Sequence, residues 1–334
     1  MFSKDIGIDL GTTNVLIYIS GKGVVLEEPS ILTVDTDTKK VLAVGQEAKE
    51  MLGRTPDKIK VVRPMKDGVI ADFELTEIML NTFIKKVKGK NLFRRPRILI
   101  CCPTNITQVE KNAIREAAER TGARKVYIEE EPKVAAVGAG MDISKPTANM
   151  IVDIGGGTTD IAVLSMNNIV SSTSIRIAGN KLDEDIIKHI KSKHRILVGE
   201  KTAERIKIDF ANIYKPSKKQ KLEVKGRNVD TGLPDSIVIT EEDTKNALKE
   251  SVDKIIKAIK EVLEDTPPEL SADIVDRGLI ITGGGSSLKG FRDLLQDELK
   301  IPILTAKDPL RCVVEGAGLL LNDIDLLEKD NELD

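Results

Sequence analysis

The chain has 334 residues, of which 40% are hydrophobic and 31% charged, with a net charge of −2 at neutral pH. The length suits two domains better than one simple core. The balance excludes a disordered chain and offers no broad electrostatic pull toward nucleic acid. Aromatics are only 3% and Trp is absent, so the core must rest on Ile, Leu, Val and Ala. Met1–Asp5, with Lys4 and Asp5, shows no signal-peptide pattern, and no apolar run approaches the roughly 20 residues of a membrane-spanning helix.

In chain order, Ile6–Leu10 and Val15–Ile19 read as strands joined by Gly11-Thr12-Thr13-Asn14. Thr76–Lys88 has helical spacing of Ile78, Met79, Phe83, Ile84 and Val87. Arg97–Cys102 is a buried strand stopped by Pro103. Its Cys101 and Cys102, like Cys312, lack metal-ligand spacing and read as small buried hydrophobes of a reducing cytoplasm. Thr107–Thr121 is an amphipathic helix, with a Thr107–Glu110 capping box at its start and Gly122 at its end. Val126–Ile128 is a short strand, Pro132–Gly140 a small-residue helix and Ser144–Asn149 a crossover. A second strand pair follows at Met150–Ile154 and Ile161–Ser165, then helices at Lys181–His194 and Lys201–Ile213. Lys221–Ile239 reads as small strands. Glu241–Leu263 is a long helix ended by Thr266-Pro267-Pro268, Gly278–Thr282 a strand, and Pro309–Leu321 a final helix. The alternation predicts an α/β fold.

One internal repeat stands out. Ile8-Asp9-Leu10-Gly11-Thr12-Thr13-Asn14 resembles Val152-Asp153-Ile154-Gly155-Gly156-Gly157-Thr158-Thr159-Asp160. Each copy is an apolar strand ending in Asp, then Gly and paired Thr, then another strand. Two copies predict two related half-domains facing one cleft. Glycine lets the backbone approach a ligand, and Thr hydroxyls with free N–H groups can hold phosphate oxygens. Strand-end carboxylates suit Mg²⁺. A third segment, Thr282-Gly283-Gly284-Gly285-Ser286, follows an apolar strand and is expected to open a helix. It is neither a Walker A loop nor a G-x-G-x-x-G signature. Glu129, Glu130 and Glu131 cannot be told apart on chemistry alone. His189 and His194 read as surface or satisfied residues of a polar helix. Leu92 and Phe93 lie in a loop between Lys85, Lys86, Lys88, Lys90 and Arg94, Arg95, Arg97, a composition that suits either contact with a membrane surface or two side chains folded back into the core beneath a solvated basic loop.

The three glycine-rich segments, in this order, resemble the phosphate 1, phosphate 2 and adenosine motifs of the actin, sugar kinase and Hsp70 superfamily. Ile6–Asn14, Arg63–Asp72, Ile175–Gly179, Gly199–Lys207 and Thr266–Ala272 narrow the resemblance to the MreB family of bacterial actins. Ile100–Thr107 and Glu129–Ala136 look closest to its Mbl branch. The resemblance implies an actin-like ATPase fold, with two ribonuclease H-like α/β cores around a nucleotide cleft. It places domain I at 1–144 plus 312–334, with a small lobe at about 33–65. Domain II is 145–311, with a small lobe at about 181–240.

The resemblance also implies roles. Gly11, Thr12, Thr13, Asn14, Gly155, Gly156, Gly157 and Thr158 would hold the phosphates of ATP. Glu204, Lys207, Gly283, Gly284, Gly285 and Ser286 would flank the adenosine. Asp9 and Asp153 would hold Mg²⁺ through water, and the register against Pro132 would make Glu131 the residue positioning the attacking water. Many relatives have Ala where this chain has Thr13. The expected function is a slow ATPase that polymerises into antiparallel paired protofilaments, with the helix Thr107–Thr121 at the pairing contact. It would lie on the anionic inner face of the cell membrane through Leu92 and Phe93, organise cell-wall synthesis and hold rod shape. MreC, MreD and RodZ are the partners implied, and no nucleic acid. The alternative is a sugar-type kinase, for which no acceptor-pocket or base motif is found. An Hsp70 reading would need a further substrate domain, which is not expected here.

Overall fold

The structure is a computed structural model that describes residues 5–88, 95–104 and 106–323. Leu92 and Phe93 lie outside the described residues.

The first half runs β1 (Ile6–Leu10), β2 (Asn14–Ile19), β3 (Gly23–Pro29), β4 (Leu32–Asp35), β5 (Val41–Val44), α1 (Gln46–Met51), β6 (Ile59–Val62), β7 (Met65–Lys66), β8 (Val69–Ile70), α2 (Phe73–Lys88), β9 (Arg97–Cys102), α3 (Gln108–Arg120), β10 (Lys125–Glu130) and α4 (Glu131–Gly138). The second half runs β11 (Asn149–Ile154), β12 (Thr159–Ser165), β13 (Asn168–Ile175), α5 (Gly179–His194), β14 (Ile196–Leu197), α6 (Glu200–Asp209), β15 (Lys221–Asn228), β16 (Pro234–Thr240), α7 (Glu241–Glu264), α8 (Pro268–Arg277), β17 (Leu279–Thr282), α9 (Phe291–Leu299), β18 (Ile303–Thr305) and α10 (Cys312–Leu320).

Two five-stranded sheets repeat one plan. The first is ordered β10-β9-β1-β2-β3 and the second β13-β12-β11-β17-β18. In each, the first strand of the repeat pairs antiparallel with the next strand and parallel with a later one. The parallel strands read as continuous apolar runs because both their faces are covered, as in Ile98–Cys102 and Met150–Val152. Burying each such Ile or Val contributes about 1.5–3 kcal/mol before chain entropy is counted. Small sheets β5-β4-β6 and β14-β15-β16 sit apart from the two main ones.

A shared core lies between the sheets. Leu99, Cys101 and Tyr127 of the first meet Ile151, Ala162 and Leu164 of the second through Val134–Ala136 of α4 and Val313, Ala317 and Leu320 of α10. The two helices cross with backbones touching. A methyl group on Gly138 would lie 1.8 Å from the Cys312 carbonyl oxygen, and one on Gly316 would lie 2.0 Å from that of Val134.

Local chemistry sets several boundaries. The capping box of α3 forms as its sequence predicts: the Glu110 N–H donates to Thr107 Oγ1 at 3.3 Å and the Thr107 N–H to Glu110 Oε2 at 2.8 Å. α2 begins at Phe73, before the expected Thr76, because Asp72 accepts from the Leu75 N–H at 3.0 Å and caps it. One helix is added to those expected, and one expectation is corrected. Pro267-Pro268 ends one helix but also starts α8, since Pro is tolerated in a first helical turn. The triple glycine opens only a four-residue 3-10 turn, Gly284–Ser287. Gly283 has φ +76°, outside helical space, and α9 waits for Gly290.

Candidate functional site

The strand ends and loops of both halves enclose a cleft of about 460 Å³. Its lining includes Asp9, Gly11–Asn14, Glu131, Asp153, Gly155–Thr158, Glu204, Lys207 and Gly283–Gly285. Every proposed nucleotide, metal and catalytic residue from the sequence therefore comes to one place except Ser286. That residue is buried, with its hydroxyl donating to the Gly283 carbonyl at 2.7 Å, and Ser287 lines the cleft instead. The shift follows from the 3-10 turn, which rotates successive side chains differently from an α-helix.

The two phosphate-type loops pack directly on each other. A methyl group on Gly156 would lie 1.8 Å from Thr13 Oγ1, and one on Gly157 2.5 Å from Thr12 Oγ1. Only bare backbone fits there. The first loop is pinned from its own half. Ser30 Oγ donates to the Gly11 carbonyl at 2.6 Å, the Ser30 N–H to the Thr13 carbonyl at 2.9 Å, and the Gly68 N–H to Thr12 Oγ1 at 3.0 Å. The second is pinned by the start of α5, where the Gly179 and Asn180 N–H groups donate to the Gly155 and Gly156 carbonyls at 3.1 and 2.8 Å. Thr13 Oγ1 donates across the cleft to Asn180 Oδ1 at 3.2 Å.

Acidic groups form the floor. Asp153 and Asp160 are directly opposite in the β11–β12 register, so two carboxylates share one face of the sheet. Asp160 Oδ1 accepts from the Thr104 N–H of the first half at 3.4 Å. Burial pushes Asp9 up to about 7. Burial, then the charges of Asp160, Asp9 and Asp153, pushes Glu131 well above the usual carboxylate range. Burial, then Asp160 and Asp9, does the same to Asp153. Such a floor suits a hard cation or shared protons. Among the described residues, no group of three or more His, Cys, Asp or Glu side chains is arranged to hold a metal ion. The three glutamates now differ. Glu129 is buried and paired with Lys133 at 3.3 Å, whereas Glu131, the first residue of α4, lines the cleft.

On the opposite wall Lys207 Nζ donates to the Gly179 carbonyl at 2.8 Å and to Asp183 Oδ2 at 2.9 Å. Burial, opposed by Lys207, leaves Asp183 raised to about 6. At the mouth, Arg63 reaches Glu200 at 2.6 Å and Lys49 reaches Glu204 at 3.9 Å, joining the β4–β6 lobe to α6. His189 and His194 lie away from the cleft, with Nε2 atoms 3.7 and 3.6 Å from Asp243 Oδ1.

Asp160, Asn180 and Asp183 were not singled out from the sequence. Asp160 carried a signal, since Thr158-Thr159-Asp160 mirrors Thr12-Thr13-Asn14. Asn180 and Asp183 follow Gly179 at a helix start, and no spacing marks them.

Comparison with known proteins accords with this geometry. The MreB/Mbl protein family model matches residues 3–329. The cell shape-determining protein Mbl of Bacillus cereus is 58% identical over 329 residues, covering 98% of this chain and 99% of that protein. The cell shape-determining protein MreB of Escherichia coli K12 is 48% identical over 331 residues, covering 98% and 95%. The crystal structure of MreB 5 of Spiroplasma citri bound to AMPPNP superposes with a TM-score of 0.93 at 38% identity over 99% of each chain. The MamK double helical filament, at 23% identity, shares the fold with a TM-score of 0.81 over 96% of this chain and 98% of that one. The paired loops, the shared cleft and these matches together establish that the chain belongs to the MreB/Mbl family of actin-like proteins.

Proposed function

We propose that this chain is an ATP-dependent, filament-forming cell-shape protein that works on the inner face of the cell membrane. The observation that carries the reading is the packing of two phosphate-type loops across one cleft with Glu131 on its floor. The related Spiroplasma citri MreB5 was solved with both AMPPNP and ADP. In this chain Gly11–Asn14 and Gly155–Thr158 offer N–H and hydroxyl donors to the phosphates. Glu204, Lys207, Gly283–Gly285 and Ser287 flank the nucleoside. Asp9 and Asp153 hold Mg²⁺ through water, and the ion neutralises phosphate charge when bound. Glu131 orients the attacking water and, when ionised, accepts its proton.

Two domains, 1–144 with 312–334 and 145–311, would close on the nucleotide and so alter contacts between stacked subunits. Antiparallel pairing of protofilaments would use α3, on which Val109 is 78% exposed. Leu92 and Phe93 would enter the acyl boundary, each contributing roughly 1.5–3 kcal/mol if fully removed from water. Neighbouring Lys and Arg would add about 1 kcal/mol each on anionic lipid. Linked subunits turn such weak contacts into firm avidity. MreC, MreD and RodZ are the partners the family resemblance proposes, and organising cell-wall synthesis is the role. Among the described residues no helix is long and apolar enough to cross a membrane.

The test is sedimentation and electron microscopy of the purified chain with Mg-ATP, with and without anionic liposomes. ATP-dependent paired filaments are expected. Val109→Glu should leave single strands, and Leu92→Ser with Phe93→Ser should lose lipid binding while polymerising in solution. Protein that stays monomeric at every concentration, with ATP and lipid present, would overturn the reading.

A further inference from the structure

We infer that Asn180 is an additional phosphate-contacting residue, and that Thr13 sets the orientation of its amide; this rests on the nucleotide reading of the cleft. Asn180 lines the cleft at the start of α5, beside the second phosphate loop. Its backbone is fixed there, because its N–H donates to the Gly156 carbonyl at 2.8 Å. An Asn side chain has two chemically opposite ends, an accepting oxygen and a donating amide nitrogen. A hydroxyl that donates to the oxygen end leaves the nitrogen end turned away from it. Thr13 Oγ1, from the other half of the molecule, donates to Asn180 Oδ1 at 3.2 Å. The oxygen is thereby engaged, and Nδ2 meets no acceptor among the described residues. A donor without a protein partner, in a cleft walled by two phosphate-type loops, is matched by a phosphate oxygen. Hydrogen bonds to charged acceptors are the strong ones.

The Thr13 hydroxyl is itself held in place. It sits against the bare Cα of Gly156, where a methyl group would be 1.8 Å from Oγ1. The interaction therefore spans both halves: Thr13 from the first loop, Gly156 from the second, and Asn180 from the helix that follows. The hydroxyl thus orients Asn180, and the Asn180 amide contacts the phosphates.

The experiment measures affinity of the full chain for ATP, ADP and adenosine by isothermal calorimetry. Wild type is compared with Asn180→Ala, Asn180→Asp, Thr13→Val and the pair Thr13→Val/Asn180→Ala. Thr13→Val keeps the shape and removes the hydroxyl. Asn180→Asp keeps an acceptor for Thr13 but replaces the donor with a negative charge. Asn180→Ala is expected to weaken ATP binding about tenfold, the cost of a lost hydrogen bond to a charged group. Asn180→Asp should weaken it further, and adenosine binding should hold within about twofold for both. Thr13→Val should give a smaller loss with the same selectivity, and no added loss once Asn180 is Ala. Thermal unfolding without nucleotide reads out folding for every variant. Unchanged ATP affinity in both Asn180 variants overturns the inference, as does equal weakening of ATP and adenosine. If wild type binds no ATP, the nucleotide reading itself falls with it.

Discussion

At the cleft floor the decisive quantity is proton affinity. Asp9 is held up at about 7 by burial, far above an ordinary Asp. A carboxyl whose folded value is raised favours folding while protonated in both states. That contribution is full below about pH 4 and is lost as pH rises through about 7. Metal-free protein should therefore melt at falling temperature between about pH 5 and pH 8, and Mg²⁺ with ATP should reverse the trend by replacing the proton. Melting curves that run parallel with and without Mg-ATP across that window would disprove it. Glu131 belongs to the same group and, on the proposed function, would face the attacking water. Glu131→Ala should slow ATP turnover about 100-fold while ATP still binds, because the loops that hold phosphate are pinned by Ser30, Gly68 and Gly179 rather than by Glu131. Single-turnover hydrolysis beside equilibrium binding checks this, and unchanged turnover would move the role to another residue.

Among the elements, those with their own local signals were legible in the sequence. β1, β2, β11 and β12 announce themselves by apolar runs interrupted by Gly-Thr-Thr, and α3 by Thr107 and Glu110. The strands of the first small lobe and α8 were harder, whereas Lys221–Ile239 does form the expected small strands. β4, β5 and β6 are four residues each, too short to show a period of their own, and among the described residues they pair only with one another. The register of the third glycine segment was missed by one residue, since three glycines carry no side chain to signal a 3-10 turn. Of the cleft lining, the three glycine-rich loops and the strand-end carboxylates could be read, but not Asn180 or Asp183, whose place depends on a neighbour from another element. The crossing of α4 and α10 was equally invisible, because a small residue in a helix reads as ordinary until the opposing backbone is seen. Gly316→Ala should cost about 1–3 kcal/mol in denaturant unfolding by forcing the helices apart. A loss below about 0.5 kcal/mol would mean that the crossing is looser than described.

For the whole molecule, two ion pairs bridge the β4–β6 lobe and α6 beside the cleft. Glu200 and Glu204 are one turn apart on α6 and take Arg63 and Lys49 from the opposite lobe. These pairs are substantially exposed, so each contributes only about 0.2–1 kcal/mol. A weak bridge of this kind opens often and answers to salt. Glu200→Arg should speed nucleotide release about threefold. Adding Arg63→Glu should restore it, and high salt should narrow the difference. Stopped-flow release of a fluorescent ATP analogue reads all three, and failure of the swapped pair to restore the rate would remove the bridge from the release step. What lies between the two sheets sets how such small movements count. Backbones that touch at Gly138 and Gly316 leave no layer of side chains to shear, so the helix pair can turn but scarcely slide. It is a fulcrum with Glu131 at the near end of one arm. On the proposed function, a fraction of an ångström gained or lost beside the phosphates would become a larger sweep at the distant lobes, and a row of stacked subunits would add those sweeps into curvature.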